Sequence, residues 1–145
     1  MRHGEAGEAS RDADRPLTAR GRTQAASSAR GLQVLGAAPS VLWHSPYKRA
    51  VETAEIVADV LGITAIAVDP RFTPEANASA ATMALLSARK SVILVAHMPI
   101  LPSIVSLMCG GPCSFTTAGV AWLDVVGGAA TLIGLYPVNT LEHLR

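Results

Sequence analysis

Ser91-Val92-Ile93-Leu94-Val95-Ala96 runs directly into His97-Met98-Pro99, and this stretch decides the fold. Val92 to Ala96 are all apolar, with no polar alternation of the kind a strand half open to water shows. A strand apolar on both faces is covered on both faces, which favours a parallel sheet flanked by helices. The longer run Val92 to Cys109 imitates a membrane span, but His97, Pro99 and Pro102 interrupt it. It reads as a buried strand followed by a helix.

Outward from this strand, helices and strands alternate. Leu17 to Leu35 reads as a helix with Thr18 as its N-cap and Gly36 as its stop. Ser40 to His44 is a short apolar strand, and Ser45-Pro46 opens a helix to Leu61, serine capping the free amides and proline fitting the first helical position. Ala50, Ala54, Val57 and Leu61 fall at spacings of three and four, one buried stripe. Ile63 to Val68 is a further strand, Asp69 to Asn77 a loop and Ala80 to Ala88 a short helix. After a Gly, Pro and Thr-rich loop from Met108 to Gly119, Val120–Val126 and Ala130–Tyr136 form a hairpin about Gly127-Gly128, at one side of the sheet.

Composition narrows the function classes. The 145 residues, half of them apolar, suffice for one compact domain, read here as residues 1–145. Twelve basic and 11 acidic residues leave a net charge of +1 without a basic stripe, and only two each of Phe, Tyr and Trp offer no stacking platform for bases. Nucleic acid is not expected as a partner, nor is a membrane. Cys109 and Cys113 flank a Gly-Gly-Pro turn with no second pair to complete a zinc site, so they read as two reduced thiols. No apolar leader precedes the polar segment Gly4 to Arg15, and a cytoplasmic protein is expected. No feature sets an oligomeric state.

The chemistry lies in two arginines and two histidines. Arg2-His3-Gly4 stands at the start, Arg49 follows Ser45-Pro46, and His97 closes the buried strand. Arg49 and His97 both fall just after predicted strands, where loops of an open α/β sheet gather ligand groups. Guanidinium forks match phosphate oxygens, and a neutral imidazole can accept a phosphoryl group and release it to water. Arg49 in the first turn of a helix is poorly placed for the helix dipole, and a bound anion supplies a reason for it. His44 beside Trp43 reads as a structural residue and His143 as an exposed one.

Taken together, Arg2-His3-Gly4, Arg15-Pro16-Leu17-Thr18 with Gly21 behind it, Ser45-Pro46 with Arg49-Ala50 and Thr53, and His97 with Pro99 resemble the histidine phosphatase superfamily. The short chain, the Arg-Pro-Leu-Thr segment, the lack of an inserted cap and Phe115-Thr116-Thr117-Ala118-Gly119 are similar to its SixA-like phosphohistidine phosphatases. The resemblance implies a three-layer αβα domain with a mostly parallel central sheet, of the phosphoglycerate mutase type. It implies His3 as the nucleophile, Arg2 and Arg49 as holders of the equatorial phosphate oxygens, and His97, in its charged form, as a further donor. Gly4 belongs to the same binding loop, and positive charge nearby would keep His3 unprotonated.

A carboxylic acid that protonates an alkoxide leaving group is common in the superfamily. Glu75 is the candidate by position and Glu5 the alternative, while an imidazole leaving group would need such an acid less. Arg15 could reach phosphate or brace the loop ahead of the helix, with bracing favoured. Relatives also place an apolar strand before Arg-His-Gly. Here only Met1 precedes it, so the expectation is a chain clipped at its N-terminus, with a slot in the core where the first strand belongs.

The function expected is therefore a metal- and cofactor-independent phosphatase working through a phosphohistidine intermediate. A protein phosphohistidine is the first choice of substrate, because a pocket without a cap admits a side chain of another protein. A broad phosphomonoesterase acting on a small phosphate ester, or a non-catalytic phosphate-binding module, are the alternatives.

Overall fold

The computed structural model describes residues 1–144. Its elements are α1 (Ala19–Val34), β1 (Val41–His44), α2 (Lys48–Leu61), β2 (Ile66–Val68), α3 (Ala78–Leu86), β3 (Val92–Val95), α4 (Ile100–Cys109), β4 (Val120–Val126), β5 (Ala129–Tyr136) and the short α5 (Val138–Leu141). Strands β2, β1 and β3 form a parallel sheet in that order, and β4 pairs with β5 as an antiparallel hairpin.

Strand β3 separates two cores. Ile93 and Val95 face a cluster built from Leu32, Leu42, Ala54, Val57 and Leu141, on the side of α1, α2 and α5. Leu94 and Ala96 face Phe72, Ala81, Ile100, Ile104 and Phe115, on the side of α3 and α4. Successive side chains of a strand point to opposite faces, so an unbroken apolar run is the pattern that two covering layers require. This is the three-layer α/β arrangement expected from the sequence.

The N-terminus joins the two sheets. Arg2 bridges Ala96 in parallel fashion, His3 N donates to Ala96 O at 3.1 Å and Ala96 N donates to Met1 O at 3.0 Å. On the other side, Arg2 N donates to Gly119 O at 2.9 Å and Ala118 N to His3 O at 3.0 Å. His3 is thus held between the end of β3 and the start of β4 by backbone bonds on both flanks. Ahead of this bridge the sheets part around a cleft of about 830 Å³, lined in part by Ile93, Leu94, Val120 and Trp122. Met1 to His3 pair with Ala96 on one side and with Ala118 and Gly119 on the other.

Several boundaries differ from expectation. Helix α2 begins at Lys48 with Tyr47 at the N-cap and no side-chain cap bond, two residues later than the Ser45-Pro46 signal implies. Ser45 Oγ still accepts from Tyr47 N at 3.3 Å, but its hydroxyl is shared with His97, which draws it inward. Strand β2 is shorter than expected: Ile63 is buried behind the helix C-cap at Gly62, and only Ile66–Val68 pair, at the exposed edge. Asn77 caps α3, so that helix starts two residues early.

Candidate active site

Three chain segments deliver the polar groups to one place. His3 follows the bridge to β3, Arg49 stands in the first turn of α2 after β1, and His97 follows β3. All three are buried. The rings of His3 and His97 lie 5.0 Å apart between centroids, and Arg49 Nε donates to His3 Nε2 at 3.1 Å. Arg2 donates from Nη1 to Phe115 O at 2.8 Å.

The bonds around His3 define its chemistry. Nδ1 lies 2.7 Å from Gly4 O, and a carbonyl can only accept, so the ring proton sits on Nδ1 and Nε2 keeps a lone pair. Gly4 N in turn donates to Thr53 Oγ1 at 3.1 Å, and that hydroxyl donates to Arg49 O at 2.7 Å. The His3 loop is therefore tied to the first turns of α2. It is also pressed against α1: a Cβ on Gly4 would overlap Gly21 O, and one on Gly21 would overlap Glu5 O. Only two facing glycines let the backbones meet this closely.

Burial lowers the basicity of His3 most; Arg49, Arg2 and Arg15 add to it against the opposing bond to Gly4, and its pKa falls to about 4. The sequence reading attributed this shift to positive charge, whereas desolvation is the larger cause. His97 is pushed down to about 3, by burial first and then by His3 and Arg49. In the free protein both rings are thus held neutral at pH 7, whereas the sequence leads to a charged His97 only as a donor to bound phosphate. His97 Nε2 bonds Ser45 Oγ at 2.7 Å.

Among the described residues, two buried polar side-chain atoms have no partner, Arg2 Nε and His97 Nδ1. Both belong to this cluster. Orphaned buried groups are costly unless a ligand satisfies them, so their coincidence marks a site for an acceptor-rich molecule. Tetrahedral oxyanions fit that description.

The remaining candidates sit further out. Glu75 is exposed and accepts a hydrogen bond from Tyr47 Oη at 2.7 Å; Tyr47 in turn packs edge-on against His97, 5.2 Å away, and lies beneath the Arg49 guanidinium. Glu75 thus reaches the cluster through Tyr47. Glu5 accepts from Thr18 Oγ1 at 2.9 Å and pairs with Arg20, bound into the start of α1. Arg15 donates to Gly7 O at 2.8 Å and to Asp12 Oδ1 at 3.1 Å, the bracing arrangement favoured from the sequence. His44 is buried with Nδ1 on Ser45 O, and His143 is exposed.

Two residues that sequence reasoning missed complete the cluster. Asp12 accepts from Arg49 Nη1 through its carbonyl at 2.7 Å and from Nη2 through its carboxylate at 3.0 Å. It lies in a loop with Arg11, Asp14 and Arg15, where no periodicity singles it out. Ser45 was read as a helix cap alone. Its position one residue beyond β1, beside the end of β3 that leads into His97, was the available signal.

A conserved-domain comparison matches residues 1–80 to the histidine phosphatase superfamily, branch 1. The chain is 32% identical over 149 aligned positions to the phosphohistidine phosphatase SixA of Escherichia coli K12, covering 96% of this chain and 92% of that protein. Its fold superposes on the solved structure of the protein histidine phosphatase SixA complexed with tungstate with a TM-score of 0.93, at 29% identity over 97% of this chain and 96% of the other. An α/β domain with paired arginines and histidines at the strand ends is a phosphatase of the phosphoglycerate mutase-like fold. The chain belongs to the histidine phosphatase superfamily. No helix among the described residues is long and apolar enough to cross a membrane.

Proposed function

We propose that this phosphatase removes the phosphoryl group from phosphohistidine on a partner protein, through a phosphoenzyme formed on His3. The observation that carries the reading is the neutral Nε2 of His3, held by the Nδ1 bond to Gly4 O beside Arg49 and close to two unpartnered donors, Arg2 Nε and His97 Nδ1. Nε2 attacks phosphorus in line, the N–P bond of the substrate breaks, and the substrate imidazole leaves. Water then attacks the phosphoryl group on His3 and releases inorganic phosphate. Arg2 and Arg49 hold the equatorial oxygens, where charge gathers in the transition state.

The Ser45 hydroxyl bonds His97 Nε2 and so fixes the ring, and in this reading Nδ1, which has no partner among the described residues, carries the ring proton and donates to the phosphoryl group. Glu75 is exposed and occupied by the bond from Tyr47 Oη, so this reading assigns it no part in the departure of a nitrogen leaving group, which needs a proton donor less than an alkoxide does. The connections that precede Arg49 and contain His97 are short, β1 ending at His44 with α2 starting at Lys48 and β3 ending at Val95 with α4 starting at Ile100, so neither carries an inserted helix over the pocket. A side chain presented by another protein can enter. Free thiols at Cys109 and Cys113 suit a reducing cytoplasm.

The test is release of phosphate from a phosphohistidine peptide and from an aryl phosphate. The reading expects turnover of the peptide by the native protein and none by His3→Ala. Binding of both compounds without turnover would instead indicate a phosphate-binding module.

A further inference from the structure

We infer that Asp12 is a positioning residue of the phosphatase site, an in-chain competitor that holds Arg49 in the free enzyme, yields it to an incoming phosphoryl group and reclaims it as inorganic phosphate leaves. The inference rests on the phosphatase reading of His3, Arg2 and Arg49, and is independent of the phosphohistidine substrate.

Each of the three Arg49 nitrogens has one N–H engaged, which fills the outer Nη1–Nη2 edge and leaves two of the five N–H groups free. Nε points to His3 Nε2, Nη1 to the Asp12 carbonyl and Nη2 to the Asp12 carboxylate. Arg2 Nε and His97 Nδ1, by contrast, have no partner among the described residues. A phosphoryl group entering the cluster therefore meets these unpartnered atoms and a guanidinium whose outer edge is already bound to an anion. It can take the outer edge of Arg49 only by displacing that anion.

Exposure says which partner moves. The side chain of Arg49 is 5% exposed, whereas that of Asp12 is 55% exposed, on a single 3-10 turn from Asp12 to Asp14 that contains no buried residue. Desolvation pushes the Asp12 carboxyl upward, but hydrogen bonds from Arg49 and Arg15 outweigh it and keep the group ionised. Arg15 Nη1 holds the other carboxylate oxygen at 3.1 Å and is anchored through Nε to Gly7 O. A displaced Asp12 thus keeps a cationic partner just outside the site. It stays close enough to return.

An anion competing for Arg49 weakens every phosphoryl ligand by the same factor. For a substrate with a further protein surface to bind, that loss is offset by other contacts. For inorganic phosphate it is not, so product leaves faster and ambient phosphate does not block the site. The test is calorimetric titration of the native protein, Asp12→Asn and Asp12→Ala with inorganic phosphate, with thermal melts to verify that the variants are folded. Both variants are expected to bind phosphate more tightly, by about two- to fivefold for loss of one partly exposed ionic competitor. In any turnover assay the same variants should show stronger product inhibition. Unchanged or weaker phosphate binding in folded variants would overturn the inference and make Asp12 a brace that holds Arg49 in place. Failure on phosphohistidine peptides alone would leave it intact, because the titration uses phosphate only.

Discussion

Arg49 Nε lies 3.1 Å from His3 Nε2, so the guanidinium proposed to hold phosphate touches the nitrogen proposed to attack phosphorus. One guanidinium thereby orients the lone pair in the free enzyme and stands ready to bind the group that replaces it. The planar fork is needed because Nε and the two outer nitrogens serve different partners.

Arg49→Lys keeps the charge and loses the fork. The expected outcome is a fall in kcat/KM of about 10²- to 10³-fold, the usual scale for removing a transition-state donor, with the fold retained by circular dichroism. A lysine variant within a few-fold of the native rate would mean that charge alone suffices.

Ser45→Ala removes the partner of His97 Nε2 and leaves that buried nitrogen unsatisfied. A destabilisation of about 1–3 kcal/mol follows from the uncompensated group, measured by urea unfolding. Activity should fall together with stability, since the ring loses the bond that orients it.

His3 and His97 set a pH dependence of stability. Their folded values of about 4 and about 3 lie below the unfolded value of 6.5, so between these limits the unfolded chain binds protons that the native protein does not. Stability is then at its full level above pH 6.5 and falls as the pH drops toward 4. Thermal melts across this window should show the decline, and His97→Gln should make it shallower. An unchanged slope in that variant would show that His97 titrates normally.

Glu75→Gln separates the two leaving-group classes. Turnover of a phosphohistidine peptide should change by less than about threefold, because imidazole departs without a strong acid, while an alkyl phosphate would suffer more if Glu75 reaches it through Tyr47. A large loss on the peptide would restore Glu75 as the proton donor.

Much of this architecture was legible from the chain. The run Val92 to Ala96 announced a strand covered on both faces, and its side chains do divide between two cores. Arg49 and His97 were legible because strand ends and helix starts are marked by local chemistry, and the structure brings both against His3. What escaped was set by tertiary contacts. Asp12 matters only because α2 carries Arg49 past its loop, and Ser45 matters beyond its cap role only because β1 and β3 are adjacent and in register. The neutral His97 of the free protein was not legible for a related reason: the sequence displays the neighbouring cations, but the burial that dominates its basicity emerges only when three segments pack together.

The central claim is covalent chemistry at His3, and trapping the phosphoenzyme tests it most directly. After brief exposure to a phosphohistidine peptide and an acid-free quench, peptide mass mapping should find a phosphoryl group on His3 that is labile to acid and stable to base, and absent from His3→Ala. Turnover by the native protein with phosphate found on another residue, or undiminished turnover by His3→Ala, would contradict the account.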